Sequence, residues 1–93
     1  MKEEHKTLVA NPAVVTQTTA DGAVLIEMNS GDCFELNHVG AEIWSRLSQG
    51  EGLANIVVAV AKRYAIAEST ADADARRLLT DLEQRGLLTP TKR

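Results

Sequence analysis

The side chains best suited to chemistry in this sequence do not form a catalytic pattern. Cys33, the only cysteine, and the histidines His5 and His38 lack the spacing of a zinc site. The stretch Gly50-Glu51-Gly52 lacks the third glycine and the following lysine of a phosphate-binding loop. No serine has the flanking glycines of a nucleophile elbow. The residues therefore predict no enzyme active site, no metal and no cofactor.

Ordinary structural roles account for the individual residues that attract attention. We interpret Cys33 as a sheet-edge residue and His38 as a surface residue in the first turn of a helix. Trp44 is interpreted as an anchor of the core. Arg76 and Arg77 could bind a phosphate, but aspartates and glutamates surround them along the chain. Such mixed charge is typical of a solvated helix face.

The stretch 31–44 positions several of these residues, and it reads as a short strand that runs into a helix. Phe34 and Leu36 lie two apart and share one face of an extended chain. Asn37 suits a helix N-cap, because its side-chain oxygen can accept an amide of the first turn. Apolar residues then recur at helical spacing at Val39, Ile43 and Leu47.

Composition limits the class of protein. The 93 residues suit one small domain, and 44% of them are hydrophobic, as in ordinary globular proteins. The net charge of −3 argues against nucleic acid as the main partner. A lone cysteine points to a reducing cytoplasm, and no apolar run is long enough for a membrane span. We expect tails at 1–6 and 91–93 and a single domain at 7–90.

Three predicted strands precede three predicted helices. The strands are 13–19, 23–28 and 33–36, joined by an Asp21-Gly22 hairpin turn and a turn at 29–32. The helices are 38–48, 53–63 and 69–85, the last opening on a capping box at Ser69 and Asp72. This order predicts an α+β fold, a three-stranded antiparallel meander followed by three helices, with a helix-turn-helix-like arrangement of the last two. The outer edge of the third strand is expected to be unpaired.

The joint order of these features resembles the PqqD-like family over roughly residues 13–88. The matching positions follow the hairpin turn and an apolar strand. They are Phe34-Glu35-Leu36-Asn37, Gly40, Ile43-Trp44, Leu47, Gly50, Ile56, Ala61, Tyr64, Asp74, Leu78-Leu79, Leu82 and Gly86-Leu87-Leu88. Quinone-pathway members usually carry a proline–glutamate element before the Leu-Asn pair, where this chain has Gly31-Asp32-Cys33-Phe34-Glu35. The sequence is therefore more similar to the lasso-peptide type.

The resemblance implies a winged-helix-like, non-catalytic adaptor in the biosynthesis of ribosomally made, modified peptides. Such a domain binds the leader of a precursor peptide as a strand added beside the third strand, against the third helix, and presents it to a leader peptidase or other modifying enzyme. Backbone hydrogen bonds give affinity in that binding mode, and side-chain pockets give specificity. The candidate peptide-binding residues are Asp32, Cys33, Phe34, Glu35, Leu36, Asp72, Arg76, Arg77, Leu79, Thr80 and Glu83.

Other functions stay open at this point. A winged-helix DNA-binding regulator would present its third helix to base edges, but that helix carries four acids from Asp72 to Glu83 inclusive. A peptide chaperone of the pyrroloquinoline quinone pathway and a structural subunit of a larger enzyme are two more alternatives. A homodimer that exchanges strands at the open edge is an alternative to a monomer. Which side of the third helix faces the strand is not fixed by the sequence.

Overall fold

The computed structural model describes residues 8–90, so the two predicted tails lie outside the described residues. Within this range, four strands come first, three consecutive helices follow, and a fifth strand ends it. The elements are β1 Leu8–Ala10, β2 Val14–Thr19, β3 Gly22–Glu27, β4 Cys33–Asn37, α1 His38–Ser48, α2 Leu53–Tyr64, α3 Glu68–Gln84 and β5 Leu88–Pro90.

The central sheet has the order β2-β3-β4 with antiparallel neighbours. Thr19 pairs with Gly22, and the register continues to Val14 opposite Glu27. On the other side of β3, Ile26 pairs with Cys33 and Gly22 pairs with Asn37. The predicted meander is therefore confirmed, and its third strand is β4. No bound of these three strands differs from its predicted position by more than one residue.

A second, two-stranded sheet was not predicted. β1 pairs antiparallel with β5, with Val9 opposite Thr89. The sequence predicted no strand before residue 13 or after residue 85. Each strand is three residues long, and its partner lies at the far end of the described chain. Such short runs carry no periodicity of their own, so local patterns cannot identify them.

The first helix has the predicted bounds and the predicted cap. The Asn37 Oδ1 accepts a hydrogen bond from the Gly40 amide at 2.8 Å. The predicted capping box at Ser69 is wrong, because α3 begins at Glu68 and its N-cap is Ala67, which has no side-chain cap. Ala65 ends α2 in a left-handed conformation, and the chain then enters α3 one residue earlier than expected. Ser69 therefore lies inside the first turn.

α1 packs against β3 and β4 of the central sheet, and α2 and α3 pack against α1 and against each other, which gives a single core. Leu25, Ile43, Ile56 and Leu82 are 0–1% exposed and represent the sheet and all three helices in that core. Trp44 is buried, as predicted, and its indole N–H donates to the Thr16 hydroxyl at 2.9 Å. Over residues 8–90, no helix is both long enough and apolar enough to cross a membrane.

Candidate functional site

Within residues 8–90, β4 has a strand on one side only. The Glu27 amide donates to the Asp32 carbonyl at 2.9 Å, which fixes the phase of the β3–β4 ladder. Hydrogen-bonded pairs alternate along an antiparallel ladder, so the backbone groups of Phe34 and Leu36 point toward β3. The N–H and C=O groups of Cys33 and Glu35 therefore point to the open edge.

A groove separates this open edge from α3. It encloses a cavity of about 320 Å³ whose walls come from β4, from the start of α1 and from one face of α3. We call this the β4–α3 groove. Its lining residues are Phe34, Glu35, Leu36, Asn37, Val39, Gly40, Ile43, Asp74, Arg77, Leu78 and Asp81.

The floor of the β4–α3 groove is apolar. Leu36 and Ile43 are buried in the core beneath it, while Val39 and Leu78 are half-buried and pack against that core. The strand-to-helix junction at Asn37 explains this arrangement, because the open edge and part of the floor belong to one continuous stretch of chain. A side chain that points inward from a neighbouring strand would meet an apolar surface here.

A smaller cavity of about 240 Å³ continues the groove toward the start of β4. Asp32 and Cys33 form one side of it, and Gln84 and Arg85 form the other. The Arg85 guanidinium carbon lies 4.8 Å from the centre of the Phe34 ring, a cation–π contact between the end of α3 and β4. The two walls therefore touch at this end of the groove.

The turn that leads into β4 is held by a buried carboxylate. Glu27 is 8% exposed, and its side chain accepts a hydrogen bond from the Ser30 amide at 2.7 Å. Asn29 and Asn11 donate to the same carboxylate at 3.4 and 3.3 Å. The hydrogen bond from the Ser30 backbone is the main cause of a lowered pKa of Glu27. The ionised side chain thus stabilises the β3–β4 turn.

The structure divides the predicted site residues into three groups. Asp32, Cys33, Phe34, Glu35, Leu36 and Arg77 line the β4–α3 groove or its continuation. Asp72 and Arg76 lie on another face of α3, where they line a depression against α2. They form an ion pair there, with Nε and Oδ2 3.0 Å apart. Leu79, Thr80 and Glu83 line neither cavity of the groove.

Sequence reasoning missed most of the α3 wall. The face of α3 that lines the groove carries Asp74, Leu78, Asp81, Gln84 and Arg85. Four of the predicted residues instead form a separate stripe, Asp72, Arg76, Leu79 and Glu83. The two stripes are offset by two residues, about 200° around the helix axis. They flank the buried positions on opposite sides, and only the docking of α3 beside the sheet decides which flank faces β4. The equal spacing of the two stripes left no signal in the sequence that could distinguish them.

Metal binding finds no support among the described residues. Within 8–90, no group of histidine, cysteine, aspartate and glutamate side chains could hold a metal ion. Cys33 is exposed on β4, and its thiol lies 3.9 Å from the Gly31 carbonyl.

Two solved structures resemble this chain over nearly its whole length. One is TbiB1 in complex with the TbiA(beta) leader peptide, which is 32% identical with a TM-score of 0.79. That match covers 90% of this chain and 98% of TbiB1. The other is lasso peptide synthetase B1 complexed with the leader peptide, which is 27% identical with a TM-score of 0.81 over 90% of this chain and 99% of that chain. A search among curated proteins gave no match.

A protein family also matches the sequence directly. The family described as coenzyme PQQ synthesis protein D (PqqD) matches residues 22–88, which include β3, β4 and all three helices. The match therefore contains both walls of the β4–α3 groove and agrees with the resemblance found in the sequence. The chain belongs to the PqqD family.

Proposed function

We propose that this protein binds the leader segment of a ribosomally synthesised precursor peptide as an additional strand at the open edge of β4. The observation that carries the proposal is the position of that edge beside the β4–α3 groove. In support, both solved structures reported above are complexes with a leader peptide, and one of them is the complex of lasso peptide synthetase B1. The function proposed for this chain is leader recognition in lasso-peptide biosynthesis.

Strand addition would use both the open edge of β4 and the cavity beside it. The outward N–H and C=O groups of Cys33 and Glu35 offer hydrogen bonds to any extended backbone, whatever its sequence. Alternate side chains of the added strand would point into the cavity over Leu78 and Val39. Burial of one apolar side chain there contributes about 1.5–3 kcal/mol at full burial. The backbone bonds thus give affinity, and the cavity selects the peptide.

We propose no catalytic step for this chain. The sequence holds no recognisable catalytic constellation, so the bound leader must be handed to a separate enzyme, a leader peptidase or another modifying enzyme. We place this work in the cytoplasm, where the single thiol stays reduced. The open edge also allows a homodimer, and two copies paired there would compete with the leader for the same backbone groups.

DNA recognition gains no support from α3. Arg76 pairs with Asp72, and the Nη1 of Arg77 lies 3.8 Å from the Oδ1 of Asp74. A recognition helix needs cations that are free to contact phosphates and base edges. Here aspartates one helical turn away partly neutralise both arginines.

Two proline variants test strand addition. Glu35→Pro removes an outward amide at the β4 edge, and Thr18→Pro removes the corresponding outward amide at the β2 edge, on the far side of the same sheet. The probe is a synthetic peptide of the leader encoded beside this protein's own gene, and calorimetry measures its Kd. We expect Glu35→Pro to bind about threefold to tenfold more weakly than Glu35→Ala, which lacks the carboxylate but keeps the amide; this difference is the worth of one backbone hydrogen bond. Thr18→Pro should leave binding unchanged.

Nuclear magnetic resonance supplies the control for folding and locates the peptide. Both proline variants should keep the dispersed amide spectrum of the unmodified protein. In the unmodified protein, the peptide should shift amides at 32–37 and along 74–85. Unchanged binding by a folded Glu35→Pro variant, or shifts confined to other residues, would contradict strand addition at β4.

A further inference from the structure

The β4–α3 groove carries an excess of negative charge at its wider end, which is the cavity of about 320 Å³. Asp74, Asp81 and Glu35 line the cavity there, and Arg77 is the one cation among the lining residues. Three carboxylates and one guanidinium give this end a net charge of −2. Asp74 and Asp81 lie on the α3 wall, while Glu35 lies on the exposed face of β4.

Little within the protein balances this charge. Arg77 is 3.8 Å from Asp74, and its side chain is 73% exposed, so the pair is weak. The carboxylates of Asp81 and Glu35 have no ion-pair partner among residues 8–90. Two of the three acids at the wider end are therefore available to a cation brought by a bound peptide.

The opposite end of the groove differs. There Arg85 lies over the Phe34 ring, and Asp32 lines the same small cavity. One cation and one anion give that end no net charge. The negative potential is thus confined to the part of the groove that contains the apolar floor.

From this charge distribution we infer that the bound leader carries a lysine or arginine within two residues of the apolar side chain that enters the cavity. The inference rests on the proposed function and names the chemical class of its peptide. Asp74 and Asp81 lie two helical turns apart, about 10 Å along α3. A strand advances about 3.3 Å per residue, so an inward-pointing basic residue two positions from the anchor lies about 7 Å along the strand and can reach either acid.

Both faces of the added strand meet an acid. Side chains that point inward approach Asp74 and Asp81, and those that point outward lie beside Glu35 across the new strand pair. Opposite charges on neighbouring strands stabilise the pairing, and like charges oppose it. A basic residue is therefore favoured at an inward or an outward position, and an acidic one is disfavoured at both.

Selection from a random library tests the inference without knowledge of the natural leader. Random extended peptides are displayed and selected on the immobilised full chain at physiological salt. The selected pool is counter-tested on Glu35→Pro and on Glu35→Ala, since both lack the carboxylate and only the first lacks the amide. We expect peptides that need the β4 edge, with lysine and arginine enriched beside the apolar anchor. Selected peptides that lose binding on Glu35→Pro but show no enrichment of lysine or arginine would overturn the inference and leave the proposed function intact. A pool that binds Glu35→Pro equally well would overturn both.

Charge variants then test the cause. In a selected peptide, norleucine in place of the basic residue keeps the stem and removes the charge, and should weaken binding to the unmodified protein about twofold to fivefold. Asp81→Lys should abolish the preference for the charged peptide. Glu68→Lys is the matched control, because it changes the charge of the same helix equally but lines the depression against α2. Equal binding of both peptides by the unmodified protein, or loss of the preference in Glu68→Lys, would overturn the inference.

Discussion

Replacing Gly22 by alanine should destabilise the protein far more than the same change at Gly31. Both glycines have positive φ, +151° and +82°. A Cβ on Gly22 would lie 2.1 Å from the Leu36 carbonyl oxygen and 2.6 Å from the Asn37 carbonyl carbon, whereas a Cβ on Gly31 meets nothing within 4 Å. The hairpin turn at Gly22 thus touches the backbone at which β4 becomes α1.

The expected cost follows from these contacts. Alanine at Gly31 adds only the left-handed backbone penalty of about 1–2 kcal/mol. Alanine at Gly22 adds about 1–3 kcal/mol of backbone strain and about 1–3 kcal/mol for the forced displacement of β4. The total stability of a 93-residue domain is about 5–14 kcal/mol. Gly22→Ala should therefore remove a large part of it.

Urea unfolding followed by circular dichroism measures both free energies. Since a loss of 1 kcal/mol lowers Tm by roughly 4–8 °C in a domain of this size, thermal scans supply a second estimate. Where Gly22→Ala still folds, its largest amide shifts should fall on 36–40. Equal losses in the two variants would refute the contact between the hairpin and the β4–α1 junction.

Two further variants test how the site is held in place. Asn37→Ala removes the acceptor of the Gly40 amide and should lower the free energy of unfolding in urea by about 1 kcal/mol. The control Asn55→Ala changes an exposed residue of α2 and should not lower it. Similar losses in the two variants would contradict the role of the Asn37 cap. Because the pKa of Glu27 is lowered in the folded state, its stabilisation is complete well above the ordinary glutamate pKa of about 4.3 and is lost as pH falls through the lowered value. Tm measured against pH should therefore fall less steeply for Glu27→Gln than for the unmodified protein, and parallel curves would contradict the carboxylate's role.

Local patterns predicted the part of the fold that local interactions determine. The cap at Asn37 fixes the start of α1, and apolar spacing fixes its face, so the predicted and observed bounds agree. The alternation of Phe34 and Leu36 likewise identified β4. Both features depend on residues close together in the chain.

Long-range packing determines what the sequence did not predict. β1 and β5 stabilise each other only as a pair, and neither run is distinctive alone. The spacing of Ala71, Ala75 and Leu82 predicts the buried stripe of α3, but which flank of that stripe faces β4 depends on how the helix docks beside the sheet. Leu79 was the predicted groove residue, and the structure places Leu78 on the groove instead.

The two walls of the β4–α3 groove are held to the core in different ways, and this separates affinity from selectivity. The β4 wall offers backbone groups to the peptide, and its Leu36 side chain is buried in the core. The α3 wall offers side chains, and the small buried residues Ala71 and Ala75 hold that helix close to the core. Substitutions at Asp74 or Asp81 can therefore change which peptide is bound without loss of core contacts or of the strand edge. Changes to the β4–α1 junction would instead remove the edge on which every peptide depends.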